Sequence, residues 1–411
     1  MLAASALVAL GGSSAIPADG AARAASPLAP ALIARTQAVL SRAMHHASAS
    51  SGAYVVDYRA QQSLFAVHAE TPRSPASVEK LYTTSTALAK FGLDGRLDTI
   101  VLASAPPDDQ GVVRGNLYLR GGGDPTFGSE RFSATAYGGG ATVTALARAL
   151  SDTAHITRVR GSIVGDESLF DTLRGGPATG FRIDSEIGDL SALSFDRGQT
   201  GGLGSPAAYA ASQLAAALRL NGVAVDGKSI TGTAPPAAKL AAAIGSPPMS
   251  TLIRLANLSS DNFFAETLLK DLGAQFGSTG STSAGAAVAR RWVGNLGIYP
   301  SIVDGSGLSR ADRTSPRQVV DLLRATASSR LGPALRGSLP VAARSGTLRK
   351  RLRGTLAAGH CEAKTGTLSD VSALAGWCGR RIAFAFLMTG MSVAKAHGIQ
   401  DQMTAAIAAL G

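Results

Sequence analysis

The chain has 411 residues, of which 45% are hydrophobic and 16% charged, and its net charge at pH 7 is +11. This length and composition indicate a globular protein with a sizeable core, either one large domain with an insertion or two to three ordinary domains. The positive charge leaves nucleic acid and an anionic cell envelope open as partners, but aromatic residues are only 5% and no recognition helix is found, so nucleic acid is not predicted.

The N-terminal segment has an apolar run over residues 2–10, followed by small residues and an Ala-Arg-Ala site at 22–24 that resembles a secretory cleavage signal. The run is too short to span a bilayer. We therefore predict residues 1–25 as a signal peptide and the protein as exported to the cell envelope. A disordered alanine-rich tail is the alternative.

The next elements are predicted from apolar periodicity. Residues 29–47 carry apolar side chains at helical spacing, and two strand-like runs, GAYVVDY (52–58) and QQSLFAVHA (61–69), form a hairpin. A second helix is predicted to have Ser74 as its N-cap and Pro75 at its first position, and to end at residues 91–92. Ser77 then lies in the first turn of this helix, with Lys80 on the same face. Glu79 between them is assigned to a solvent face.

Residues 98–248 differ in character, with short β runs, glycine-rich turns and one helix at 205–222. The segment GVAVDGKS (222–229) matches the P-loop pattern. A phosphate cradle needs a helix after the loop, whereas the following ITGTAPP cannot start one and Asp226 would repel phosphate. A nucleotide site is therefore not predicted.

The apolar pattern of residues 249–411 predicts several helices, then three strands at 360–368, 371–379 and 381–390, and a terminal helix from 394. These strands complement the hairpin and helices near the start of the chain. We predict an α/β (α+β) fold. Its five-stranded antiparallel sheet with flanking helices is built from residues 26–97 and 249–411, and an inserted β-rich domain covers 98–248.

Two serine–lysine pairs share one spacing, Ser77-Lys80 and Ser392-Lys395. The spacing alone is weak, since a chain this rich in serine shows roughly one by chance. The first pair is followed by SDN (260–262), in the bend between two predicted helices, and by KTGT (364–367) on a predicted strand. Motifs of these three kinds in this order are the signature of penicillin-binding proteins and class A β-lactamases. We interpret the second pair as coincidence.

The chemistry assigns a role to each motif residue. A serine hydroxyl becomes nucleophilic when a neighbouring base takes its proton, and a lysine can be that base if burial and nearby cations lower its pKa. We therefore predict Ser77 as nucleophile, Lys80 as base and Lys364 as a second cation. Ser260 is predicted to relay a proton toward the leaving amine, and Asn262 to hold the substrate amide and the lysine.

The KTGT strand is predicted to receive the substrate. Gly366, having no side chain, lets a peptide lie as an added strand along its edge. The backbone amides of Ser77 and Thr367 are the expected oxyanion donors. Lys364, Thr365 and Thr367 then face a terminal carboxylate.

Further segments make the chain resemble penicillin-binding proteins of the D-alanyl-D-alanine carboxypeptidase and endopeptidase kind, type 4. They are GNLYLRGGGDPTF, GSIVGDESLFD, SALSFDRG, DGSGLSR and AKTGTLSDVSALAGW. The resemblance implies a β-lactamase/transpeptidase-like catalytic domain, an acyl-enzyme mechanism on peptidoglycan stem peptides and covalent inhibition by β-lactams. No cofactor is predicted, and the net positive charge predicts a peripheral association with an anionic envelope. It also implies that Asp166, Arg310 and Leu368 form the pocket for the stem-peptide side chain.

The chain departs from this family in one respect. The family usually nests two domains between the serine and the SxN motif, but here SALSFDRG (191–198) runs through only six residues into the helix predicted from 205. The inner nested domain is predicted to be missing.

Other functions stay open at this point. A β-lactamase or esterase could use the same fold, although no ExxLN-like deacylation element is found and the inserted domain argues against a compact β-lactamase. A wall-binding scaffold without turnover is the alternative from a different class.

The chain has two cysteines and six histidines. Two cysteines exclude a disulfide-dense scaffold or a cysteine-based cluster, and the histidines lack ligand spacing, so no metal is predicted. If residues 360–379 form a hairpin that turns near Ser369-Asp370, Cys361 stands opposite Cys378. An exported protein can oxidise this pair, and two free thiols are the alternative.

Overall fold

A computed structural model describes residues 27–411, so the predicted signal peptide lies outside the described residues. Within 27–411, every helix falls short of the length or hydrophobicity that a membrane-spanning helix needs. The helices are α1 (Pro30–His45), α2 (Lys80–Phe91), α3 (Glu130–Tyr137), α4 (Val143–Arg148), α5 (Pro206–Leu220), α6 (Met249–Leu258), α7 (Asn262–Phe276), α8 (Thr282–Gly294), α9 (Pro316–Ala327), α10 (Gly332–Gly337) and α11 (Val393–Ala408). The strands are β1 (Gly52–Asp57), β2 (Gln62–Val67), β3 (Asp98–Ala103), β4 (Val112–Val113), β5 (Leu117–Arg120), β6 (Arg158–Val159), β7 (Ile163–Asp166), β8 (Ala224–Val225), β9 (Ser229–Thr231), β10 (Lys239–Gly245), β11 (Cys361–Leu368), β12 (Val371–Cys378) and β13 (Ile382–Thr389).

The predicted five-stranded sheet is confirmed. Its order is β11-β12-β13-β1-β2, and every neighbouring pair is antiparallel. Alternate side chains enter two cores: Val55 and Phe384 pack with α1 and α11, whereas Tyr54 and Ala383 face the core built by α2, α7 and α9. The central strands are apolar on both faces because helices cover both sides of the sheet.

A second sheet is built from strands within 98–248. Its order is β10-β3-β5-β7-β9, with β5, β7 and β9 parallel and β10, β3 and β5 antiparallel. This part has its own core, in which Leu119 and Leu214 are fully buried. It is more helical than the predicted β-rich domain, because α5 covers the parallel strands β7 and β9. The domain boundaries and the missing nested domain stay predictions.

The P-loop-like segment joins two strands of this part. Residues 222–229 run from β8 into β9. The guanidinium of Arg158 donates to both carboxylate oxygens of Asp226, from Nη2 at 2.9 Å and from Nε at 3.0 Å. A phosphate cradle requires a helix directly after the loop. In the described chain the loop is followed by strand β9, which ends at Thr231, and then by β10.

The helix that follows Ser77 begins differently from the prediction. Ser77 lies in a 3-10 turn, Ala76–Glu79, and α2 starts only at Lys80. Ser74 does not cap the helix, and its hydroxyl is buried without a partner in the described chain. The chain enters the turn with a φ of 46° at Ala76, a left-handed conformation that a side chain rarely adopts, so packing by other segments must hold it. The helix ends at Gly92 as predicted, with a φ of 82°.

Candidate active site

The 3-10 turn places the first serine–lysine pair in contact. Lys80 Nζ donates to Ser77 Oγ at 3.1 Å, to Asn262 Oδ1 at 2.7 Å and to the carbonyl oxygen of Ser306 at 2.7 Å. The lysine side chain is fully buried. Its three donors are therefore satisfied by three acceptors, one of them the serine hydroxyl that needs a base.

The other pair has a different environment. Ser392 and Lys395 are both exposed at the start of α11. Solvent surrounds both side chains, so this pair lacks the buried environment that a lysine base needs. The equal spacing in the sequence does not distinguish the two pairs, whereas burial does.

Burial tunes the pKa of Lys80. It lowers the pKa of Lys80 to about 8, while the nearby acidic side chains, first Asp304 and then Glu266, act in the opposite direction. A lysine in this range is partly neutral near pH 7 and can accept the proton of Ser77.

The second lysine lies against the SDN motif. Lys364 Nζ donates to Ser260 Oγ at 2.7 Å and to the carbonyl oxygen of Thr365 at 2.8 Å. Burial, with Lys80 as a second cause, lowers the pKa of Lys364 well below its usual range. Ser260 has a φ of 60°, a strained conformation for serine that occurs at functional sites. The Ser260–Lys364 contact can therefore carry a proton between the cleft and the strand.

The SDN bend is held from two sides. Asp261 caps α7 by accepting from the backbone N–H of Phe264 at 3.1 Å. Arg197, from the segment before α5, binds both oxygens of Asp261 at 2.5 and 2.9 Å. The cap and the ion pair fix the residue between Ser260 and Asn262, so both side chains are oriented into the site. The sequence carried no signal that pairs Arg197 with this motif.

The glycine in KTG has a packing role that the sequence did not indicate. A Cβ at Gly366 would lie 2.6 Å from the carbonyl oxygen of Pro75 and 3.0 Å from the backbone nitrogen of Ser77. Gly366 is thus required for the close approach of β11 to the 3-10 turn. Its predicted role in admitting a substrate strand stays a prediction. This approach sets the backbone of Ser77, the predicted nucleophile, against the strand that carries Thr367. Two oxyanion donors would require this arrangement.

A cleft of about 290 Å³ opens above these groups. Of the predicted site residues, Ser77, Ser260, Asn262, Thr365 and Thr367 line it. The lining also includes residues that the sequence analysis did not assign: Glu186, Leu308, Thr347, Arg351 and His397. The cleft joins the SDN and KTGT motifs to side chains from four other segments, none of which forms a motif with them in sequence.

A buried acidic cluster supports the lysine from below. Glu266 Oε1 accepts from the backbone N–H of Gly305 at 3.0 Å and of Ser306 at 2.9 Å. Asp304 Oδ1 accepts from the backbone N–H of Gly307 at 2.6 Å. These bonds hold the 304–307 loop so that the Ser306 carbonyl points at Lys80. This loop lies within DGSGLSR, a segment that no pattern in the sequence links to the lysine.

Glu79 belongs to the same cluster, so its assignment to a solvent face is wrong. It is 0% exposed, and neither of its carboxyl oxygens has a partner within residues 27–411. The reason is packing of the 304–309 loop over the 3-10 turn, since a Cβ at Gly307 would lie 2.0 Å from the carbonyl oxygen of Ala76. Burial, with Asp304 and Glu266 as further causes, raises the pKa of Glu79 well above its usual range.

The three residues expected to hold a stem-peptide side chain lie in two places. Asp166 ends β7 and is 0% exposed, and its carboxylate accepts from the backbone N–H of Ser168 and of Ala234, both at 2.9 Å. Arg310 is exposed and binds Asp370 at 2.7 Å, just beyond Leu368 at the end of β11. None of the three lines the cleft. A pocket formed by all three stays a prediction.

The last hairpin turns where the sequence indicated. Leu368 pairs with Val371 across the two-residue turn, and Cys361 pairs with Cys378. The two cysteines are joined by a disulfide in this structure. The bond closes the end of the hairpin that is opposite to the turn.

Comparison with known proteins extends these observations. The sequence profile of the D-Ala-D-Ala carboxypeptidase 3 (S13) family matches residues 36–181 and 187–410. A D-alanyl-D-alanine carboxypeptidase of Actinomadura sp. (strain R39) is 29% identical over 450 residues, covering 88% of this chain and 81% of the relative. A carboxypeptidase DacB of Mycolicibacterium smegmatis is 31% identical over 332 residues, covering 75% of this chain and 68% of the relative.

Among solved structures, penicillin binding protein 4 of Haemophilus influenzae has a TM-score of 0.73 at 20% identity, covering 89% of this chain and 97% of that chain. The same Haemophilus protein has also been solved in complex with a novel β-lactam, with a TM-score of 0.70. These likenesses confirm the predicted fold.

Proposed function

We propose, because the chain belongs to the D-Ala-D-Ala carboxypeptidase 3 (S13) family, that Ser77 is the nucleophile of a serine-type D-Ala-D-Ala carboxypeptidase. Family membership establishes the enzyme class, a DD-carboxypeptidase or endopeptidase, and the roles of individual residues are the proposal. One observation carries it: the fully buried Lys80 contacts Ser77 Oγ at 3.1 Å in a cleft that also contains the SDN and KTGT residues.

The acylation step follows from these contacts. Neutral Lys80 takes the hydroxyl proton as Ser77 Oγ attacks the carbonyl carbon of the terminal peptide bond. The backbone amides of Ser77 and Thr367 stabilise the oxyanion, a contribution of about 3 kcal/mol for each well-placed donor. The C–N bond then breaks, and the proton that Lys80 took passes to the leaving amine through Ser260 and Lys364. An ester to Ser77 and a neutral Lys80 remain.

Deacylation reverses the proton path. Water attacks the ester carbonyl while Lys80 takes one of its protons, the bond to Ser77 Oγ breaks, and the serine recovers its hydrogen. Asn262 holds the lysine through its side-chain oxygen, at 2.7 Å, and donates from its amide nitrogen to the carbonyl oxygen of Glu186 at 3.1 Å. This second bond ties the catalytic amide to the mouth of the cleft.

The substrates in this proposal are peptidoglycan stem peptides, and β-lactams acylate the same serine. Both present a carbonyl flanked by a carboxylate-bearing group, which suits a cleft lined by Thr365 and Thr367. The β-lactam complex of the Haemophilus protein supports this extension. An exported location and a peripheral association with an anionic wall agree with the net charge of +11.

A labelled penicillin tests the function. A long-lived adduct on the wild-type protein, lost in Ser77→Ala but kept in Ser392→Ala, together with release of D-alanine from a defined stem peptide, is the expected result. Rapid drug turnover would instead indicate a β-lactamase, and absence of an adduct an esterase or a scaffold. An adduct that persists in Ser77→Ala would contradict the assigned nucleophile.

A further inference from the structure

A second cavity, of about 310 Å³, opens beside the five-stranded sheet where β1 and β12 end. It has no role in the mechanism above, because none of its lining residues belongs to the catalytic cleft. Three arginines from separate segments line it, and none of the described residues in its walls is acidic. The walls include Tyr58, Arg59, Pro333, Arg336, Trp377 and Arg380. A cavity with this lining is a candidate for an anion site.

The two turns that form one side of this cavity are fixed to each other. The carbonyl oxygen of Arg380 accepts from Tyr58 Oη at 2.7 Å and from Arg59 Nε at 2.8 Å. The turn after β12 is thereby tied to the turn after β1. Nη1 and Nη2 of Arg59 have no acceptor within residues 27–411, so both amino groups of a positioned guanidinium stay open to a ligand.

The arginine on the helical side of the cavity is held by the sheet. Arg336, on α10, donates to Glu362 Oε2 from Nε at 3.1 Å and from Nη2 at 2.7 Å. Its guanidinium carbon lies 6.0 Å from the centre of the Trp377 ring, which is buried. Its Nη1 has no acceptor in the part of the chain that the structure describes. Because Glu362 and the ring position this group, it offers one further donor with little loss of side-chain freedom on binding.

The cavity has excess positive charge. Glu362 neutralises Arg336, whereas Arg59 and Arg380 have no ion pair within residues 27–411. The guanidinium of Arg380 is exposed and also donates no hydrogen bond to the described chain. Two guanidinium charges without a counter-ion, beside one that is neutralised, favour an anion in the cavity.

The arrangement of the donors favours a phosphate over a carboxylate. A planar carboxylate is satisfied by the fork of one arginine, whereas the open donors here come from three segments. A phosphate monoester offers three terminal oxygens and a charge of about −1.5 to −2 at pH 7, which matches two unpaired guanidinium groups. The ring of Tyr58 and the side chain of Pro333 give the wall an apolar part, which suits the organic group of an ester.

We propose that this cavity binds the phosphate group of a phosphate monoester, with Arg59 and Arg380 supplying the charge and Arg336 a further donor. The site goes beyond the proposed peptidase function and does not depend on it, since the cavity and the cleft share no lining residue. The monoester can be free in solution or can be the headgroup of a phospholipid, and the chemistry that the arginines recognise is the same.

Two probes test the two sources: glycerol 3-phosphate, titrated by calorimetry, and phosphatidylcholine vesicles that contain phosphatidic acid, followed by cosedimentation. Arg380→Gln is expected to weaken binding by about tenfold, the effect of losing one charge-assisted hydrogen bond. Because this guanidinium has no partner in the described chain, the loss reports its contact with the ligand.

Arg42→Gln is the matched control. Arg42 is exposed on α1, which packs on the opposite face of the sheet, and its loss should change binding by less than about twofold at physiological salt. Both variants should be acylated by penicillin within about twofold of the wild-type rate, because neither residue lines the cleft.

A loss in Arg380→Gln with glycerol 3-phosphate supports a soluble ester, and the same loss with vesicles alone supports a headgroup. Binding of neither probe, or unchanged affinity in Arg380→Gln, would overturn the proposal. An equal loss in Arg42→Gln would do the same by showing attraction to the overall charge, and so would glycerate that binds as tightly as glycerol 3-phosphate. If Arg380→Gln does not fold, Arg380→Lys decides in the same way, since it keeps the charge but loses the fork and should also weaken binding.

Discussion

Gly366→Ala tests whether the contact between β11 and the 3-10 turn positions the nucleophile. The added methyl would lie 2.6 Å from the carbonyl oxygen of Pro75, whereas ordinary contact begins at 3.4 Å. The two nearest atoms, Pro75 O and Ser77 N, belong to the backbone and cannot rotate away as a flexible side chain could. Strand β11 and the 3-10 turn must therefore separate by the difference, about 0.8 Å.

This displacement acts mainly on catalysis. A misplacement of about 1 Å between reacting groups costs about 100-fold in rate, whereas overpacking one methyl costs about 1–3 kcal/mol of the roughly 5–15 kcal/mol that stabilise a typical domain. We expect Gly366→Ala to stay folded but to be acylated by penicillin about 100-fold more slowly. The second-order acylation rate constant and a urea titration measure the two effects.

Gly337→Ala is the matched control. Gly337 ends α10, and a Cβ there would meet nothing within 4 Å. Its acylation rate should stay within about twofold, and its free energy of unfolding should be unchanged or raised by about 0.4–1 kcal/mol. If Gly366→Ala is acylated within about threefold of the wild-type rate, the reasoning on this contact is refuted.

The remaining predictions concern the base, the SDN bend and the disulfide. Because burial lowers the pKa of Lys80 to about 8 and the neutral form is the base, acylation should fall as pH drops through that value, to about a tenth of its plateau at pH 7; a flat rate from pH 7 to 9 would contradict this. Asp261→Ala removes the cap of α7 and should lower the free energy of unfolding by about 1 kcal/mol and also slow acylation. Ser281→Ala removes the cap of α8 and should lower the free energy of unfolding without slowing acylation. Equal acylation in both variants would show that the SDN bend needs no cap. Mass spectrometry after alkylation should find no free thiol in protein purified from an oxidising compartment, and replacing both cysteines should cost up to about 3 kcal/mol; two modified thiols in the wild type would exclude the disulfide.

Local sequence patterns were sufficient for the five strands of the first sheet and for the register of its last hairpin. The strand-like runs that ended in clear turns predicted the hairpin of β1 and β2 and the last three strands, and all five appear. The opposition of Cys361 and Cys378 followed from counting outward from a two-residue turn, because antiparallel pairing is set by the turn that joins the strands.

The helix start near Ser77 was predicted less well for a physical reason. Ser74 and Pro75 are good local signals for an α-helix. However, β11 packs against one side of the turn at Gly366, and the 304–309 loop packs against it at Gly307. Those contacts come from segments more than 200 residues away in the chain, and they tighten the turn to 3-10 and bury Glu79. Local propensity carries no information about such neighbours.

What the sequence by itself determined is the identity and order of the reactive groups: Ser77 and Lys80 one turn apart, then SDN, then KTGT. These follow from spacing within single elements, which the chain encodes locally. Only the tertiary structure decided which serine–lysine pair is buried, which carbonyl the lysine meets at Ser306, and that Arg351 enters the cleft. Burial and contact between distant segments arise when the sheets and their helices pack. This packing lowers the pKa of Lys80, which its proposed role as a base requires.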